Sequence, residues 1–314
     1  MSKANKGIHC FLFSYNLSNE LENCIRSIES SRLPLTIIDD GSRDEQTRLV
    51  LREAKKTYEV IERRDLVKEE AAPDKRTGGL YAGMNVAMQL AIERDLEYVL
   101  FIQDDMQLVR SLSTRDVNLF DKYFAEHDSI VLQSCFLKSA FRKHDDTRMQ
   151  MANCKTCYMR REIGPGRFHF SAAGVFNVKA FSARYKEFEV GERNNETKSK
   201  GIGLSMGFYR FPFMTWLPYP RGRDINNKSF GNQVIARFGS AGFHRIEMMS
   251  DTSIERLFAN DPKDLPFSED YLTSRTAPRS DVWSPESGIM NMICRGGWRK
   301  IVGMVLNYLG VGVR

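Results

Sequence analysis

The chain lacks any apolar run of about 20 residues, the length a helix needs to cross a bilayer, so no membrane span is expected. It opens Met1-Ser2-Lys3-Ala4-Asn5-Lys6 with no apolar stretch behind it, so no secretory signal is expected either. Cysteine is sparse: Cys10, Cys24, Cys135, Cys154, Cys157 and Cys294 are scattered over 314 residues. That is the usage of reduced thiols rather than of a disulfide scaffold. These absences point to a cytoplasmic protein. Charge of one sign is also in short supply. The net charge of +6 suits an anionic ligand or an anionic membrane surface and is too diffuse for nucleic acid, so no nucleic-acid partner is expected. What remains is an ordinary globular composition, 42% hydrophobic and 27% charged. It is enough for one large α/β domain, or a domain with an appendage.

One stretch organises the rest: Glu97-Tyr98-Val99-Leu100-Phe101-Ile102-Gln103-Asp104-Asp105-Met106. The unbroken apolar run Tyr98–Ile102 reads as a strand buried on both faces, as in a parallel sheet. Two carboxylates follow at once. Buried and unpaired they would be very costly, so the strand is expected to deliver them to its C-terminal edge, where open α/β sheets bind ligands. Upstream, Ile8–Phe13 reads as a first strand ending in the polar loop Ser14-Tyr15-Asn16. Leu17, Leu21, Cys24, Ile25 and Ile28 recur at helical spacing, with Asn19 and Glu22 placed as a capping box. Leu35–Ile38 is a second strand, and it too runs into a pair, Asp39-Asp40, followed by Gly41. Ser42 and Glu45 have capping-box spacing for a helix to about Lys56, and Tyr58–Ile61 reads as a third strand. Residues 62–76 read as a charged loop, and Thr77-Gly78-Gly79 opens a further helix carrying Ala82, Val86, Leu90 and Ala91 on one face. This alternation is that of a doubly wound α/β unit. Both acidic pairs should open on one edge of its sheet, as a site for a diphosphate, its metal and a nucleoside.

Taken as a set, these motifs resemble the family 2 glycosyltransferases, inverting enzymes of the Rossmann-like GT-A nucleotide-sugar fold. The likeness lies in Tyr15-Asn16, the helical stretch Leu21–Ile28, Asp39-Asp40-Gly41-Ser42-Arg43-Asp44, Gly79-Leu80-Tyr81-Ala82-Gly83-Met84-Asn85 and Gln103-Asp104-Asp105, and it covers residues 8–108. It implies a doubly wound, mostly parallel sheet in a domain spanning 1–245, with a nucleotide-sugar half at 1–110 and an acceptor half at 111–245. Residues 246–314 would form a partly helical, partly irregular extension. It also implies that Asp39 and Asp40 contact the nucleobase and ribose and that Asp105 carries Mg2+ or Mn2+ on the donor diphosphate. Ser14, Tyr15, Asn16, Gly79, Asn85 and Asp104 would belong to the same donor site. The chain departs from the family pattern at Gln103, where the first Asp of Asp-x-Asp is usual, at Met84, where Arg is often found, and at Thr77, where Asn is usual. The diphosphate charge would then fall to Arg76 or Lys75.

The second half matches the family less closely. Ser113–Ala125 reads as a helix and Ile130–Leu132 as a strand, followed by an irregular basic segment over residues 134–170. Within it, Cys154-Lys155-Thr156-Cys157 has His144 and His169 on its flanks. That pattern is compatible with a zinc site of two Cys and two His. One Cys-x-x-Cys without a tight His pair is not diagnostic, and the reading is of reduced, non-ligating thiols. Ser171–Val178 resembles the family's acceptor-side strand, with a helix Ala180–Tyr185 after it. Glu196 then takes the place of the family's general base, with Gly207 and a strand Phe211–Leu217 downstream; Glu192 competes for that role, and both also fit a solvated loop Gly191–Glu196. Pro212, Trp216, Pro218, Tyr219 and Pro220 suit either sugar stacking or core and turn positions, and Asp251 starts a short helix. The segment Trp298–Leu309, apolar with a basic head, suits either a membrane interface at the inner face of the membrane or packing on the domain.

The expected partners are therefore a nucleotide diphospho-sugar donor and a glycan or lipid-linked acceptor. A nucleotidyltransferase would need a Gly-rich basic loop after the first strand, and Ser14-Tyr15-Asn16 offers none. The remaining rival is a non-catalytic protein of the same fold that binds a partner or a membrane.

Overall fold

The computed structural model describes residues 8–62, 79–138, 141–161, 169–217 and 244–275. Lys75, Arg76, Thr77, Arg167, Pro218, Tyr219, Pro220, Cys294 and the segment Trp298–Leu309 lie outside them. The strands are β1 (Ile8–Ser14), β2 (Leu35–Asp39), β3 (Glu59–Glu62), β4 (Tyr98–Gln103), β5 (Met106–Leu108), β6 (Val131–Gln133), β7 (Met149–Met151), β8 (Cys157–Arg160), β9 (Gly174–Asn177), β10 (Gly207–Tyr209) and β11 (Met214–Trp216). The helices are α1 (Ser18–Ser30), α2 (Glu45–Ala54), α3 (Gly79–Glu93), α4 (Thr114–Glu126), α5 (Arg142–Arg148), α6 (Val178–Ala180, continued as a π turn through Tyr185), α7 (Glu192–Gly201), α8 (Asp251–Ala259) and α9 (Ser268–Tyr271). Among the described residues, no helix is long and apolar enough to cross a membrane.

Period-two alternation builds the sheet. On β1, Cys10 and Leu12 enter one core with Leu21, Cys24 and Ile28 of α1, Leu51 of α2 and Phe120 of α4. Phe11 and Phe13 enter the other, with Met84, Ala87, Met88 and Ala91 of α3 and Phe181 of α6. On β4, Leu100 and Ile102 face the first core and Val99 and Phe101 the second. Both faces are thus covered, which is why Tyr98–Ile102 is apolar without a break. The strand order is β3-β2-β1-β4-β9-β6-β10-β8-β7, and β3, β2, β1 and β4 pair in parallel. Strand β9 runs antiparallel to both β4 and β6, and β8 runs antiparallel to both β10 and β7. The result is a large, mostly parallel sheet in a mixed α/β domain, consistent with a Rossmann-like GT-A fold. Gly174 makes the β9–β6 contact possible: its φ is +137°, and a Cβ there would lie 2.5 Å from the Leu132 carbonyl oxygen.

A buried ion pair ties α4 to the sheet. Arg110 donates to Asp116 from Nη1 and Nη2 at 3.1 and 2.7 Å, and to the carbonyls of Pro212 and Phe211. Burial alone would raise the Asp116 pKa. The Arg110 hydrogen bonds and charge, with those of Ser113, outweigh it and hold the carboxyl below its ordinary value.

Several local expectations change. No side chain caps α1, whose first turn begins at Ser18 rather than around an Asn19–Glu22 box. Helix α2 is capped by Asp44, which accepts from the Thr47 N–H at 2.7 Å, because Ser42 is drawn away to Asp39. Helix α8 does start at Asp251 as expected, with Ser250 as its cap. The basic stretch after β6 contains α5 and the β7–β8 hairpin, formed because the chain there adds an edge to β10. Gly191–Glu196 is not a loop: Glu192 starts α7, where Asn195 binds the turn before it through the Glu189 N–H and the carbonyls of Glu189 and Gly191. The strand expected over Phe211–Leu217 narrows to β11, which pairs with β5 as a separate two-stranded ribbon.

Candidate active site at the C-terminal edge of the sheet

Register brings the acidic pairs together. Ser14 stands opposite Asp39 on β2, and Phe13 opposite Gln103 on β4, so both pairs leave the sheet on one edge, flanking the β1 loop. That loop then bonds to both sides. Ser14 Oγ donates to Asp39 Oδ1 at 3.0 Å, and the Tyr15 N–H to Asp104 Oδ2 at 2.7 Å. Asn16, in the left-handed region at φ 55°, accepts the Arg43 and Asp44 N–H groups on its Oδ1 at 2.7 and 3.0 Å. Its own N–H donates to Ser42 Oγ at 3.0 Å. Three loops distant in sequence are thereby one hydrogen-bonded unit.

The carboxylates have different surroundings. Asp39 is 3% exposed. Its Oδ1 accepts the Ser14 and Ser42 hydroxyls, and its Oδ2 accepts the Gly41 and Ser42 N–H groups at 3.0 and 2.8 Å. It folds the turn that presents Asp40. The Asp40 carboxylate sits on the first residue of α3: a Cβ at Gly79 would lie 1.8 Å from its Oδ2, so a larger residue there would displace that carboxylate. An anion at a helix N-terminus is favoured by the exposed N–H groups and the helix dipole. Asp104 is buried against the β1 loop. Asp105 is half-buried, and its carbonyl accepts the Leu217 N–H at 3.0 Å just beyond β11.

Glu20 and Lys138 have no motif to announce them. Glu20, in the first turn of α1, has its pKa raised by burial and then by the negative charge of Asp105. Lys138 lies over the Trp216 ring at 5.8 Å from its centroid. Both Lys138 and Asp105 act electrostatically on the buried Cys135 thiol, which burial pushes well up. Asp105 therefore has a second carboxylate within electrostatic reach, and it and Lys138 both act on Cys135. Helical spacing places Glu20 beside Leu17 and Cys24 at the margin of the buried face of α1, but nothing local pairs it with a residue 85 positions away.

Asn85 and Glu196 hold backbone. Asn85 accepts the Phe188 N–H on Oδ1 at 2.7 Å and donates from Nδ2 to the Phe188 carbonyl at 3.1 Å, fixing the approach to α7. Glu196 accepts the His169 N–H on both oxygens, at 3.1 and 3.0 Å, and the Phe170 N–H on Oε2 at 3.0 Å. Glu192 is exposed in the first turn of the same helix. Arg76 lies outside the described residues.

No protein-family model matches this chain, and no curated protein does. Among solved structures, mouse xyloside xylosyltransferase 1 in its apo form is similar over 56% of this chain and 69% of that one. The identity is 15% and the TM-score 0.30. The likeness is distant, and the fold assignment stands on the sheet topology above.

Proposed function

We propose that the chain is a glycosyltransferase moving a sugar from a nucleotide diphospho-sugar to the hydroxyl of a glycan or lipid-linked acceptor, with inversion. The observation that supports this is the joining of Ser14-Tyr15-Asn16, Asp39-Asp40 and Asp104-Asp105 on one sheet edge. Asp40 and the β1 loop would receive the nucleoside, with Asp39 holding the turn beneath them. The donor set at Asp105, a carboxylate with Glu20 close enough to feel its charge, suits a hard divalent ion bound by oxygen, so Asp105 would hold Mg2+ or Mn2+. Such an ion, when bound, neutralises charge on the diphosphate leaving group. The acceptor proton would pass to a carboxylate of α7. Glu192 is exposed there, whereas Glu196 already receives three N–H contacts and also positions the 169–170 segment.

The deciding assay is turnover and binding across UDP-, GDP- and dTDP-sugars, with manganese and with chelator, for wild type, Asp105→Ala, Glu192→Gln and Glu196→Gln. We expect metal-dependent use of one donor, lost in Asp105→Ala, and a fall in kcat at steady donor KM in the variant that removes the base. If no nucleotide sugar binds with or without metal, the transferase reading is wrong and a non-catalytic protein of this fold takes its place.

A further inference from the structure

His127, Cys154 and Cys157 converge on one point, although 27 residues separate His127 from Cys154 in sequence. His127 follows the last turn of α4, its N–H donating to the Tyr123 carbonyl at 3.0 Å. Cys154 lies in the β7–β8 turn and Cys157 opens β8. The turn is closed by the Lys155 N–H on the Ala152 carbonyl at 2.9 Å and the Ala152 N–H on the Cys157 carbonyl at 3.0 Å, with Lys155 in the left-handed region at φ 59°. Both thiols are buried, at 1% and 0% exposure.

Three observations point to an ion. The two Sγ atoms are 3.8 Å apart, far beyond a disulfide bond of about 2.05 Å. Two thiolates on tetrahedral zinc, with Zn–S of about 2.3 Å, must stand about 3.8 Å apart. His127 Nε2 is buried and meets no partner in hydrogen-bond geometry among the described residues, and its ring acts on the Cys154 thiol; a buried imidazole nitrogen aimed at thiols in this way is left for a ligand to answer. One ligand atom from each of the three residues lies within 4.8 Å of the others. The flanking histidines go elsewhere: His144 Nδ1 meets Arg160 and Asp145, and His169 Nδ1 meets the Leu204 carbonyl.

We propose that His127, Cys154 and Cys157 form a binding site for Zn2+. The ion would staple the C-terminus of α4 to the β7–β8 turn. Two thiolates and an imidazole are soft donors of the kind zinc prefers. Binding exchanges two thiol protons for two Zn–S bonds, so each ion taken up releases two protons. Met159 Sδ, 3.9 Å from Cys157 Sγ, and Thr156 Oγ, 2.9 Å from Cys154 Sγ, line the site. In the strand order β8 stands four places from β4, about 19 Å at ordinary strand spacing. The site is thus separate from the acidic edge, and the proposal does not depend on the transferase reading.

The test uses the full chain, metal-depleted and reduced, titrated with Co2+ as a spectroscopic probe and then with Zn2+. We expect one equivalent of Co2+ to give a thiolate-to-metal band in the near ultraviolet with tetrahedral visible bands, both abolished by Zn2+. Cys154→Ser, which leaves one thiolate, should cut the thiolate band by about half or more, and His127→Ala should weaken Zn2+ binding at least about tenfold, since even outer-shell changes cost about 10–100-fold. Asp105→Ala should keep the whole signature. Zinc protection of the wild-type thiols against alkylation gives a readout that needs no variant to fold. The proposal is overturned by absence of the thiolate band and of thiol protection in the wild type. It is equally overturned by unchanged affinity in a folded His127→Ala, or by a Cys154–Cys157 disulfide in place of metal uptake.

Discussion

Replacing Asp39 separates its role in the turn from its proposed role at the donor site. In Asp39→Ala the Gly41 and Ser42 N–H groups lose the acceptor that meets them at 3.0 and 2.8 Å, and the Ser14 and Ser42 hydroxyls lose theirs. Hydroxyls can turn to other acceptors, but backbone N–H groups cannot. At about 1–3 kcal/mol for each stranded group, with the Gly41 N–H partly answered by water because that residue is exposed, the loss should be about 2–4 kcal/mol. Asp39→Asn should cost only about 1 kcal/mol. Its amide oxygen can take the place of Oδ2 before the two N–H groups, while its NH2 donates to the two hydroxyl oxygens that faced Oδ1. Urea unfolding of the three proteins reads the difference as a shift in midpoint at constant slope. If the Ala and Asn variants unfold together, or Ala lies within about 1 kcal/mol of wild type, the turn does not depend on Asp39 as described.

Three more outcomes follow from the geometry. Because the Asp116 pKa is held down in the folded state, its contribution is complete above the unfolded value of about 3.9 and is lost as pH falls through the lower folded value; Asp116→Asn should flatten the acid limb of urea midpoints measured from pH 7 to 3, and an unchanged limb would count against the pair. Arg110→Met should cost about 3–5 kcal/mol by leaving Asp116 buried and uncompensated, with Arg110→Met/Asp116→Leu recovering much of it; a double variant no better than the single would show that the pair is not what is lost. Gly174→Ala should cost at least about 2 kcal/mol, since both its φ and the Leu132 carbonyl oppose a Cβ, and a melting temperature equal to wild type would refute the close approach of β9 to β6.

Much of the central sheet is legible in the sequence alone. The unbroken apolar run Tyr98–Ile102 declared a strand covered on both faces, and the helical spacing of Leu21, Cys24, Ile25 and Ile28 declared the face of α1 that packs on it. The short elements were harder. Strands β7 and β8 have three and four residues, too few for a period to emerge, and they exist because β10 offers an edge. The caps of α1 and α2 depart from their sequence spacing for a related reason. Ser42 has the right spacing to cap α2, but Asp39 is a stronger acceptor for its hydroxyl, and Asp44 is left to do the capping.

The sequence by itself determined where the strands end and that two of them end in paired carboxylates, because alternation and charge are local properties of the chain. Only the tertiary structure decided what each carboxylate meets. The partners of Asp39 and Asp104 in the β1 loop lie 25 and 89 residues away, and Glu20 reaches Asp105 only because α1 folds back beside β5. The same holds for His127, which chain order sets apart from Cys154 and Cys157 and which packing brings to them. Hydrogen bonds and metal-ligand distances act over a few ångströms, and whether two distant residues come that close is settled by register and packing.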